Sequence, residues 1–139
     1  MPRQNEFYTI LNAKGATGAG VAIPCGDFRH AIFHFVTEGG GDAVLTVKFQ
    51  GSLGKGIGAN MDVAPAFGSS QSVTNMWDYV EVIDLESGAN IDGDTGVAVA
   101  TADDSRILEA NINGLQYVCA RVTARTAGEV TIVVRLFND

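Results

Sequence analysis

The stretch LQYVCARVTARTAGEVTIVVRLFND, residues 115–139, admits few folds. Val118, Ala120, Val122 and Ala124 share one parity, and Cys119, Arg121, Thr123 and Arg125 share the other. After the RTAG break, Val130, Ile132, Val134 and Leu136 alternate with Glu129, Thr131, Val133 and Arg135. Strict period-two alternation over such lengths describes half-buried antiparallel strands, each with one core face and one mixed face. RTAG reads as the turn of a hairpin.

The same period recurs upstream. Leu45, Val47 and Phe49 alternate with Thr46, Lys48 and Gln50, and GGGD links them to FRHAIFHFVTE, so residues 28–51 read as a second hairpin. EFYTILNA, GVAIPC, DYVEVIDL, GVAVAT and RILEANI are five further strand candidates, mostly separated by Gly, Asn or Asp. In TADDSRIL the Thr101 and Asp104 spacing matches a capping box, but β-branched surroundings favour a turn into a strand. About eight strands in one domain, 1–139, predict an all-β, jelly-roll-like antiparallel β-sandwich. Residues 52–76 are irregular and read as one long loop, and residues 1–6 as an N-terminal arm, docking or frayed.

Charge narrows the partners. Sixteen acids against nine bases give a net charge of −7, with no basic stripe, so no nucleic-acid partner is expected. Nine acids fall within residues 78–109, where Arg106 is the only base, which predicts one acidic side. No run approaches the roughly 18 apolar residues that cross a membrane, and the first residues lack the apolar core of a secretory signal. Two cysteines are too few for a disulfide framework, so Cys25 and Cys119 read as small apolar groups made in a reducing cytosol.

Motifs for chemistry are weak. GSLGKGIG lacks the hydroxyl after its lysine and the helix that a phosphate loop requires. His30 and His34 would share a metal on a helix, but on a strand they stand about 13 Å apart. Asp84, Glu86, Asp92 and Asp94, with Asn90, offer hard oxygens that suit calcium, although EF-hand spacing is absent and an acidic turn explains the same residues. No nucleophile elbow or triad spacing is present, so neither an enzyme nor a cofactor is expected. Trp77, Tyr79 and Phe67 could form a sugar platform if exposed, making a carbohydrate-binding module an alternative.

Phe49, Gly51 and Ser52, followed later by Gly114, Leu115, Tyr117, Val118, Arg121 to Thr123, Thr126, Gly128, Val130, Thr131 and Arg135, carry a resemblance. They resemble small β-sandwich virion proteins of tailed bacteriophages, in which a strand ending F-x-G-S leads to a long loop and a hairpin closes the chain. The resemblance covers residues 28–53 and 112–136. It implies a non-enzymatic capsid cement or decoration protein on the virion surface, made in the host cytoplasm. Its implied partners are the major capsid protein and further copies of itself, as a homodimer or homotrimer. A tail, neck or fibre component is the alternative placement. The mixed face of the closing hairpin supplies the expected interface: Tyr117, Arg121, Arg125, Val133, Arg135 and Phe137.

Overall fold

A computed structural model describes residues 5–54 and 77–138. Among them there is no helix. The long strands are β1 (Asn5–Lys14), β4 (His30–Glu38), β5 (Val44–Ser52), β10 (Ser105–Asn111), β11 (Tyr117–Ala127) and β12 (Glu129–Phe137). Six pieces of two or three residues accompany them: β2 (Gly18–Ala19), β3 (Ile23–Pro24), β6 (Trp77–Tyr79), β7 (Val82–Asp84), β8 (Asn90–Ile91) and β9 (Val97–Val99). The expected sandwich of about eight strands is thus built, among the described residues, from twelve, in two antiparallel sheets.

One sheet runs β1-β12-β4-β10-β7-β8. The other runs β2-β11-β5-β6, with β3 also on β11 and β9 also on β5. The expected hairpins do not form. β11 and β12 share no pairing and lie in different sheets, as do β4 and β5. The sequence neighbours are arches that cross from one sheet to the other, and the two arches pair with each other. β4 pairs with β12 from His30↔Phe137 to Glu38↔Glu129, and β5 with β11 from Val44↔Ala127 to Ser52↔Tyr117. Crossing buries the apolar parity of every long strand in one shared core, which a flat hairpin leaves half open.

That core follows the alternation. Val130, Ile132, Val134 and Leu136 face Val118, Ala120 and Val122 across the sandwich, all fully buried. The rings of Phe33 (β4) and Phe49 (β5) meet between the sheets with centroids 4.4 Å apart. The pattern breaks in two regions. Ile10 and Leu11 are both buried, because a register shift between Thr9 and Leu11 admits an extra residue against β12. Cys119 is buried although it has outward parity, beside the buried Gln50 that pairs with it.

Of the expected arm 1–6, Asn5 and Glu6 are in β1, paired with Phe137 and Leu136, and residues 1–4 lie outside the described residues. Of the expected loop, Ser52 closes β5, and residues 55–76, with Phe67 and the second half of GSLGKGIG, lie outside the described residues. TADDSRIL turns into β10 without a helix; Asp103 takes a positive φ of 45°, and Thr37 Oγ1 accepts the Asp104 N–H at 2.9 Å.

Candidate functional site

The six interface residues do not form one patch. Because β11 and β12 belong to different sheets, Tyr117 and Arg121 stand on the outside of one sheet and Val133, Arg135 and Phe137 on the outside of the other, while Arg125, beyond a register shift after Val122, pairs with the core residue Leu45 and is exposed at the rim. The sandwich core lies between the two outer faces. Arg125 is also tied locally, its Nε donating to the Gly128 carbonyl at 2.9 Å beside the arch corner. Tyr117 sits in a row with Ser52 and Trp77. Arg121 lies opposite Lys48, whose ammonium rests 4.8 Å above the Tyr79 ring.

The other outer face is the more coherent surface. Arg135 places its guanidinium 4.8 Å over Phe137, Phe137 stacks on His30 at 5.3 Å, and His30 Nδ1 lies 3.8 Å from Glu109 Oε1. One strand pair along, His34 Nε2 is 3.1 Å from Ser105 Oγ. Phe7, Ile32 and Ile107 share this face, since Phe7 pairs with Arg135, Arg135 with Ile32, and Ile107 with His34. Sequence reasoning passed over these three. Their signal was present as the outward parity of EFYTILNA, HAIFHFV and RILEANI, but only the strand order brings them together.

The calcium candidates are not gathered. Asp84 Oδ1 accepts the backbone N–H groups of Glu86 (2.9 Å) and Ser87 (3.5 Å), and Asp92 Oδ1 accepts those of Asp94 (2.7 Å) and Thr95 (3.4 Å). Each aspartate therefore closes its own turn, on either side of β8, by the local bonding that makes Asp a turn residue. Among the described residues, no three His, Cys, Asp or Glu side chains stand close enough to hold a metal ion.

Both cysteines are free, buried thiols. Burial pushes Cys25 and Cys119 up to about 12; the backbone N–H of Gly20, the Ala120 backbone and the Arg121 charge oppose the rise at Cys119. Each is held protonated at neutral pH and is a poor nucleophile. One open hollow of about 400 Å³ is lined by Gly26, Asp27, Phe28, Arg29, Asn113 and Asn138. Asn138 spends an amide N–H on the Asp27 carbonyl there, at 3.1 Å. Trp77 is 3% exposed, so it offers no open platform to a sugar.

No protein-family model matches the chain, and no curated protein matches it in sequence. Its shape does have counterparts. The fold is similar to that of the SPBc2 prophage-derived protein YomS, with a TM-score of 0.61 at 14% identity over 95% of this chain and 91% of that one. It is also similar to the PBSX exported protein XepA, with a TM-score of 0.59 at 12% identity. That match takes in 98% of this chain but 39% of XepA, so a sandwich of this size is one part of the longer protein. At these identities the likeness is one of fold.

Proposed function

We propose that this chain is a non-enzymatic structural component of a bacteriophage virion, seated on the outside of the capsid as a cement protein. The observation that carries the phage setting is the fold shared with YomS, a prophage-derived protein, over nearly the whole of both chains. The resemblance at Phe49, Gly51 and Ser52 and along β11 and β12 points the same way. Two further features support a mechanical role. The interlocked arches make a rigid block, and its outer faces carry arginine and aromatic side chains beside apolar ones, the mixture enriched where proteins meet. The partner is the major capsid protein; many copies bridging neighbouring subunits add contact area that must be broken before the shell opens. The sugar-binding alternative loses support because Trp77 is buried.

The test is co-sedimentation of the purified protein with undecorated capsids at low and high salt. Saturable binding with a fixed copy number per shell is the expected result. Binding to isolated tails but not to capsids moves the protein to a tail or neck, and binding to neither overturns the virion reading.

A further inference from the structure

The outside of the β1-β12-β4-β10-β7 sheet carries an order that a single chain does not use. Of the large apolar side chains exposed among the described residues, Phe7, Val133, Ile107 and Leu85 all stand on this one face. Leu85 joins it just beyond β7, its N–H bonded to the Ile107 carbonyl. Exposed apolar groups gathered on one face mark an association surface.

The arrangement is self-complementary. β4 lies in the middle, flanked by β12 and β10, with β1 and β7 one strand further out. The row through Ile32 reads Phe7, Arg135, Ile32, Glu109, Ile83. The row through His34 reads Thr9, Val133, His34, Ile107. Consider two such faces stacked about a two-fold axis that runs along β4 between them. Each strand on one side of β4 then covers the strand equally far out on the other side of its twin. Arg135 faces the partner's Glu109, Val133 faces the partner's Ile107, and Phe7 faces the partner's Ile83. Cation meets anion and apolar meets apolar, twice each, which is what an isologous interface demands.

We infer that this face binds a second copy of this chain about a two-fold axis along β4. Two stacked sheets sit about 10 Å apart with their strands about 30° from parallel, the axis bisecting that angle at about 15° to each β4, so the rows nearest the centre keep their partners. Five strands about 4.8 Å apart and three rows about 6.8 Å apart, through His30, Ile32 and His34, give a projected footprint of at most about 500 Å² per copy, at the small end for a specific dimer. Glu38, two rows beyond His34 where β4 ends, bounds the contact on that side. The inference needs only the purified protein and stands apart from any role in a virion.

The test is sedimentation of the full chain from about 1 to about 200 µM, where a small interface of this kind associates. Wild type should pass from monomer to dimer. Arg135→Glu and Glu109→Arg each set like charges against each other at both contacts and should weaken self-association at least tenfold, with unchanged circular dichroism. An equimolar mixture of the two variants restores opposite charges at both contacts and should recover the dimer. A wild type that stays monomeric, or assembles to another stoichiometry, overturns the inference. So do single variants that dimerise as wild type does, or a mixture that fails to recover.

Discussion

Gly39, where β4 ends, packs directly against Gly128, the single residue between β11 and β12. A Cβ on Gly39 would lie 2.9 Å from the Gly128 Cα, and one on Gly128 would lie 2.8 Å from the Ala43 Cα. Both φ angles are positive, 151° and 88°, so the corners of the two arches touch backbone to backbone. Gly128→Ala adds left-handed strain to an overlap with main chain and should cost about 2–4 kcal/mol. Gly41→Ala meets nothing within 4 Å and should change stability by less than about 0.5 kcal/mol. Urea denaturation of the two variants compares them; equal midpoints would remove the close approach as a constraint.

The contact between Phe33 and Phe49 joins the sheets at the centre of the core. Phe33→Ala should destabilise by about 3–5 kcal/mol, because a fully buried ring leaves a cavity that two pinned sheets cannot close. Phe33→Leu should retain most of that. Chemical denaturation gives both values, and a loss below about 1 kcal/mol for the alanine variant would contradict the packing.

Thr37 tests a polar joint. It is 1% exposed, its hydroxyl accepts the Asp104 N–H, and its own N–H donates to the Asp104 carbonyl at 2.8 Å. Thr37→Val keeps the shape but leaves the Asp104 N–H without its acceptor, at a cost of about 1–3 kcal/mol. Thr37→Ser keeps the acceptor and should lose less. A valine variant as stable as wild type would assign the joint to shape alone.

The thiols give a chemical and a pH readout. A thiol reagent should leave native protein unmodified over minutes at pH 8 and label both cysteines at once in denaturant. Their folded values, about 12, lie above the ordinary 9.0. The stability they contribute is therefore complete below about 9 and is lost as pH rises from there towards 12. The denaturation midpoint should fall across that window, and more shallowly once Cys25 and Cys119 are replaced by alanine. Equal slopes would show that other groups cause the decline.

Much of this architecture was legible in advance because side-chain parity is a local property. Val130 to Leu136 bury as their alternation requires, and each long strand was found where the pattern placed it. Partnership was not legible. A link such as Gly128 serves a hairpin and an arch equally well, and period two specifies a face without saying which sheet owns it. That ambiguity placed Tyr117 and Arg135 on one surface when the sandwich core divides them. It also hid the alignment of Arg135, Ile32 and Glu109, which comes from three strands far apart in sequence. Asp84 and Asp92 mislead for a related reason: carboxylates clustered in sequence spend themselves on their own turns.

The place of β12 has a consequence for how the protein is made. It follows every other strand of the described residues, yet it sits between β1 and β4. A chain emerging from a ribosome therefore holds both neighbours ready, with a gap between them that only a later-translated segment can fill. β1 and β4 must wait with their pairing edges open until β12 has been made. Such a long-range closure makes folding slow, and it leaves the waiting edges exposed to other nascent copies.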